Sequence, residues 1–378
     1  MASAIILALI LLIPIILIPR LAGWPKSIQY PTKLLRSWRQ RPKQCSEIIS
    51  LRMYPIKSCR GLEVQSTVLK QHGLDLDRRW MLIDASSNTF LTIRQIPDMT
   101  RIRTALSADG DDLIVSIPKP GTNESSQDKF EHQVQDQDQD QEHQFHTIRI
   151  PSHPSPQWLA ENTNPGPVQI WDTHTDGYRY SDEINAPFSA FLRRDVALVY
   201  KGPTPRVLKG NGAPSHLGRV QTTGFPDVHP VLIASEASLA ELNARLGKAG
   251  VDPITVERFR PNIVVRGGAP WSEDSWKLVR INGQKCGDGE AVIRPSLDLD
   301  IVARCARCQV PNVDPDTALK HKKQPWDTLV SYRRVDEGIK YKPCFGMLSA
   351  PRNEGTIEVG MELEVLEETT EHRYMTGF

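Results

Sequence analysis

Proline and glycine set the first limit on what this chain can fold into. Its 378 residues include 29 prolines and 24 glycines, and few stretches keep a 3.6-residue period long enough for an ordinary helix. Between these breakers lie short runs rich in Val, Ile, Leu and Thr, at 48–55, 62–69, 112–118, 146–150, 167–171, 195–200, 229–234 and 297–303. They read as strands. Helical spacing survives in two main places. Ile184, Phe188, Phe191 and Leu192 share a face within 182–193. Leu239, Leu242 and Leu246 do so after Ser235, a good N-cap, and Glu236, which suits the positive end of a helix dipole, with Gly247 expected to end the helix. The fold class expected is mainly β with a few helices (α+β).

Residues 2–19 are almost wholly apolar. About 18 such residues suffice to cross a bilayer core of about 30 Å as a helix. Pro14 would kink that helix, which membrane spans tolerate. No basic region precedes the run and no small-residue cleavage site follows it, which disfavours a removed signal peptide. Arg20, Lys26, Lys33, Arg36, Arg39, Arg41 and Lys43 come next and hold that flank in the cytosol. The expectation is a transmembrane anchor at 1–22, a basic linker at 23–46 and a cytosolic body.

That body is long enough for two packed domains. A net charge of +1 gives no basic field for nucleic acid. Six cysteines without regular spacing form no disulfide framework, which fits a reducing compartment. One segment departs from the body's composition: 121–145 contains Gln135-Asp136-Gln137-Asp138-Gln139-Asp140-Gln141-Glu142, too polar to fold, and is expected to be a disordered insertion.

Candidate chemistry concentrates at Arg304-Cys305-Ala306-Arg307-Cys308, which follows the 297–303 strand and leads to the Asp314-Pro315-Asp316 turn signal. Guanidinium groups beside a thiol should lower its pKa and supply a thiolate; they also suit an anionic, phosphate-bearing ligand. From the residues alone, three readings stand: two buried inert cysteines, half of a zinc site, or a redox dithiol. None of the three accounts for the arginines.

Cys305-Ala306-Arg307-Cys308 with Val313-Asp314-Pro315-Asp316-Thr317, then Trp326-Asp327-Thr328-Leu329 and Tyr332-Arg333, resembles the core of a MOSC domain, and most closely that of the mitochondrial amidoxime-reducing components. The resemblance runs from Ile48 to Leu366 apart from the acidic insertion. It implies a MOSC N-terminal β-barrel region at 47–180 and a MOSC β-barrel domain at 181–368; the tail at 369–378 is expected to fray, as chain ends do. It implies a molybdenum-pyranopterin cofactor (Mo-molybdopterin) with Cys308 as the metal ligand. In Tyr54-Pro55-Ile56-Lys57-Ser58-Cys59-Arg60-Gly61 it gives Lys57 and Ser58 the cofactor's phosphate end, and in Asp77-Arg78 it gives Arg78 a second contact. In Phe259-Arg260-Pro261-Asn262 it assigns Arg260 and Asn262 to the cofactor, and in Ser235-Glu236-Ala237-Ser238 it makes Ser235 and Ser238 candidates. Arg307 and Arg304 are expected to balance cofactor charge, Asp314 to lie near the metal as a catalytic group, and Asp316 to cap the turn. Arg94 and Gln95 match a family motif without being given a direct role.

The activity implied is two-electron reduction of N-hydroxylated compounds such as amidoximes and hydroxylamines. Cytochrome b5 and its NADH-dependent flavin reductase would supply the electrons, at the outer mitochondrial membrane or, as the alternative, the endoplasmic reticulum. The competing functions are a non-redox MOSC protein that binds or transfers cofactor or sulfur, and a zinc-stabilised interaction module.

Overall fold

The computed structural model describes residues 45–120, 144–285 and 295–375. The expected anchor at 1–22, nearly all of the linker and nearly all of the acidic insertion lie outside those residues. Among the described residues no helix is long and apolar enough to cross a membrane.

Seven strands close into a barrel. In ring order they are Cys45–Met53, Ile263–Val265, Val231–Ser235, Cys344–Pro351, Leu297–Ala306, Trp276–Lys285 and Met361–Glu368, which pairs back with Cys45–Met53. Closure removes the exposed edges that an open sheet would present. The pairs are antiparallel except Val231–Ser235 with Ile263–Val265, which run parallel. A parallel pair needs a crossover, and the helix Glu236–Lys248 lies within it. Ser235 caps this helix as expected, accepting from Ser238 N, and Leu242 and Leu246 are fully buried.

Alternation places the core. In Leu297–Ala306 the residues Leu297, Leu299, Ile301 and Ala303 are buried at every second position. Leu297, Leu299 and Ile301 join Ile48, Leu51, Ile233, Val265, Met347 and Leu363 inside the barrel. Each of the larger aliphatic side chains contributes roughly 1.5–3 kcal/mol by leaving water. Toward its end the same strand slips register twice against Cys344–Pro351, between Ile301 and Ala303 and between Arg304 and Ala306. Such bulges re-aim side chains and end pairing, and here they deliver the cysteine pair to the barrel's rim.

Against this barrel packs the first half of the chain. One four-stranded sheet runs Trp80–Asp84, Val196–Lys201, Thr173–Tyr180, Thr163–Ile170, and a three-stranded sheet runs Arg103–Leu106, Asp112–Pro118, Phe145–Pro151. Helix Asp182–Leu192 buries Phe188 between them with Trp80, Leu82, Leu113 and Val115. The Trp80 indole donates to Tyr180 Oη at 3.0 Å. From residue 44 onward the chain forms one unit.

The tail corrects an expectation. Residues through Met375 are not frayed: Asn211 brackets them, donating to Arg373 O at 2.9 Å and accepting from Met375 N at 2.8 Å, and Tyr374 N donates to Asp336 Oδ1 at 2.8 Å. A polar side chain that satisfies two backbone groups at once fixes a segment that has no secondary structure of its own.

Candidate active site

A cavity of about 320 Å³ opens between the two halves, with Lys57, Ser58, Arg78 and Arg94 on one side and Asp227, Arg260, Arg307 and Cys308 on the other. Its cations come mostly from turns. After Cys45–Met53 the chain folds over so that Lys57 N donates to Trp80 O at 2.8 Å, and Ser58 sits in the left-handed region at φ 72°. This buries the Lys57 ammonium, which donates to Phe225 O at 3.0 Å and makes a short contact with Asp227 Oδ1. Burial pulls its pKa down to about 8, against the pull of Asp227.

Asp227 links three elements. Burial alone would raise its pKa, but Lys57 and Arg94 outweigh that and hold the carboxylate well below its usual range. Arg94 Nη2 donates to Asp227 Oδ2 at 3.1 Å, and Arg94 Nε donates to Cys308 Sγ at 3.4 Å. Lys57, Asp227, Arg94 and Cys308 thus form one connected chain. The buried Arg206 fixes the backbone beneath it, donating to Pro226 O and Asp227 O at 2.5 and 2.9 Å.

A second cationic group surrounds Tyr54. The guanidinium carbons of Arg78 and Arg260 lie 4.3 and 4.2 Å from its ring centre. Arg78 is held by both Asp77 oxygens, at 2.8 and 2.7 Å, and donates to Arg260 O at 3.1 Å. Both arginines have positive φ, 48° and 57°. That conformation costs a side-chain-bearing residue roughly 1–3 kcal/mol and clusters at ligand sites. Arg260 Nη2, Arg307 Nε and both ring nitrogens of His229 are buried without a hydrogen-bond partner. Each such orphan costs about 1–3 kcal/mol, and all three residues line the cavity. A ligand rich in acceptors and negative charge would satisfy the two arginine donors, while His229, held neutral by burial, offers one donor and one acceptor.

The two cysteines differ. Cys308 is half-buried on the cavity with Arg94 beside it. Cys305 Sγ accepts from Arg307 Nη1 at 3.0 Å, yet burial pushes its pKa up and outweighs that arginine, so the thiolate expected from flanking guanidiniums does not form at Cys305. Among the described residues no three His, Cys, Asp or Glu side chains gather as a metal site. Among the described residues a zinc site built on this pair therefore lacks further protein ligands, and a metal on Cys308 would need a partner from outside them to complete its coordination.

Residues 45–161 match the model of the MOSC N-terminal beta barrel domain and residues 220–364 that of the MOSC domain. Mitochondrial amidoxime-reducing component 1 of Mus musculus is 30% identical over 339 residues, which cover 85% of this chain and 83% of the mouse protein. The chain is a MOSC-domain protein. The Homo sapiens amidoxime-reducing component 1 is 29% identical over 348 residues, 86% of each chain. The molybdenum cofactor sulfurase of Oryza sativa subsp. japonica is 29% identical over 311 residues, which cover 79% of this MOSC protein but 32% of the sulfurase.

The structure brings Lys57, Ser58, Arg78, Arg260, Asn262, Arg307 and Cys308 to the one cavity. Asn262 also ties the barrel together, its side chain accepting from Leu232 N at 3.1 Å and donating to Arg52 O at 3.3 Å. Four residues lie elsewhere. Ser235 Oγ caps its own helix, and Ser238 Oγ accepts from Trp271 N at 2.8 Å; both are buried off the cavity. Arg304 turns to Asp336 at 3.4 Å and His372 O at 3.0 Å. Asp314, expected beside the metal, is itself the turn cap. Its Oδ1 accepts from Asp316 N and Thr317 N at 2.9 and 3.0 Å, and its Oδ2 accepts from Arg258 at 2.6 Å. Asp316, expected to cap, pairs with Arg60 instead. Sequence reasoning missed Asp227 and His229 and gave Arg94 no contact. The local signal for the first two was the Asp227-Val228-His229 run before a strand.

Proposed function

We propose that this MOSC protein binds a molybdenum-pyranopterin cofactor, with Cys308 as the metal's protein ligand, and reduces N-hydroxylated compounds. One observation carries the reading: a cation-lined cavity with orphaned buried arginine donors runs to two half-buried thiols, of which Cys308 accepts from Arg94. Lys57, Ser58 and Arg78 would hold the anionic end of the cofactor, and Arg260, Arg307 and Asn262 its polar ring edge. When bound, the group supplies a two-electron centre that takes oxygen from the substrate. The balance is N–OH plus two electrons and two protons giving N–H and water.

The protein's own part is charge and proton placement. Asp227 stays ionised between Lys57 and Arg94. Lys57 Nζ, with a pKa of about 8, is the buried cation able to release a proton near neutral pH, and it lies against Asp227 Oδ1. Arg94 Nε fixes the Cys308 sulfur. The electrons would come from a cytochrome b5-type donor and its NADH-dependent flavin reductase. A membrane anchor at 1–22, foremost in the outer mitochondrial membrane with the endoplasmic reticulum as the alternative, would raise the effective concentration of such anchored partners.

The test is metal and pterin analysis of the full chain from a host rich in molybdenum cofactor, with Cys308→Ala alongside. About one molybdenum and one pterin per chain, with amidoxime reduction lost in the variant, supports the proposal. Zinc without pterin overturns it. Bound cofactor with no reduction of any N-hydroxylated compound leaves a cofactor-binding or cofactor-transferring protein instead.

A further inference from the structure

One side of the cavity is built from the C-terminal segment. Tyr374 lines it, the residue only 7% exposed, in one apolar cluster with Leu232, Ala303 and Leu348, against which Ile339, Cys305 and Ala306 pack. This apolar wall contrasts with the cations that form the rest of the lining. The segment is held from several sides. Asn211 brackets Arg373 O and Met375 N, Asp336 Oδ1 accepts from Tyr374 N, and Arg304 donates to His372 O at 3.0 Å. His372 Nε2 lies 2.6 Å from Trp276 O. Gly338 passes so close beneath that an added Cβ would clash with Tyr374 O. Five anchors on a segment of no regular structure hold one aromatic ring against the strand that carries Cys305 and leads to Cys308.

We propose that residues 369–375 are part of the substrate site, and that Tyr374 is a specificity-determining residue that limits the size of the organic group admitted beside Cys308. Resting on the reductase reading, the substrates favoured are N-hydroxylated compounds with a flat apolar group. The cations take the anionic cofactor, and the wall of Tyr374, Leu232, Leu348 and Ile339 faces the substrate's hydrocarbon. Tyr374 acts through shape, so its phenol hydroxyl is dispensable.

Two readouts separate this from the reductase reading. In cofactor-free protein, alkylation of Cys308 by iodoacetamide and by a bulky pyrene maleimide is followed by peptide mass analysis. Tyr374→Ala and Asn211→Ala, the latter unpinning the segment from outside the cavity, should speed the bulky reagent at least tenfold and the small one less than twofold, with Tyr374→Phe like wild type. In loaded enzyme, the ratio of kcat/KM for a biaryl amidoxime over benzamidoxime should rise in Tyr374→Ala through KM. Unchanged bulky-reagent rates in folded Tyr374→Ala, or in Asn211→Ala should the first fail to fold, overturn the proposal, whether or not the loaded enzyme reduces anything. Equal acceleration of both reagents also overturns it, because that marks general loosening. Absence of reductase activity with the labelling contrast intact would refute the reductase reading and keep the wall.

Discussion

Glu273 should make the protein's stability fall as pH rises from about 4.5 toward neutrality. The residue sits in the turn Ser272–Ser275, 1% exposed, and neither carboxyl oxygen makes a well-formed hydrogen bond. Burial pushes its pKa from 4.5 to about 7, offset only in part by the Ser238 hydroxyl and Arg333. Folded protein therefore keeps a proton that unfolded chain releases near its ordinary value. The stabilisation is fully present below the unfolded pKa and is lost as pH climbs through the folded one. A shift of that size corresponds to about 3 kcal/mol between acid and alkaline limits. Glu273→Gln keeps the shape and cannot ionise. Urea unfolding of both proteins should give nearly equal stabilities below about pH 4, and an advantage for the variant that grows to about 3 kcal/mol by about pH 8. A constant offset across the whole range would refute the reasoning, because Glu273 would then carry the same charge folded and unfolded.

Four further outcomes follow from the site. Arg260→Met should lower bound pterin at least tenfold with little loss of fold, since Nη2 already lacks a partner and the ring of Tyr54 still packs; pterin fluorescence after denaturation reads this out. Asp227→Asn removes the carboxylate that raises Lys57, so the pH above which pterin is released should move down by about one unit, in retention assays across pH. Asp314→Asn should leave kcat within about threefold while costing about 1 kcal/mol of stability, as expected of a turn cap; a hundredfold loss of kcat would return Asp314 to the chemistry. Gly346→Ala should destabilise by 2 kcal/mol or more in urea titration, because φ is 77° and the new Cβ would lie 2.8 Å from Ile233 O, whereas left-handed backbone alone costs roughly 1–2 kcal/mol.

What could be read from the chain is what repeats locally. Alternation in Leu297–Ala306 and helical spacing in Asp182–Leu192 announce themselves within ten or so residues, and the structure forms both. The same logic fails at Ser235 and Ser238, because a serine that caps a helix and one that binds an anion occupy the same position in a pattern. It also fails at the tail. Residues 369–375 carry no periodicity, and their order comes from Asn211 and Asp336, far away in the chain.

The two aspartates show where the boundary falls. Asp314 and Asp227 each follow a proline-containing stretch and end in a turn, and sequence favours Asp314 because it adjoins the cysteine motif. Structure reverses the choice through partners. The Asp314 carboxylate is spent on two backbone N–H groups of its own turn and on Arg258, none of which opens on the cavity. Asp227 meets Lys57, 170 residues back, and Arg94, 133 residues back, and the second of these reaches Cys308 across 214 residues. Proximity along the chain selects a local cap. Only the closure of the barrel against the first half selects the carboxylate that can set the charge around the thiol.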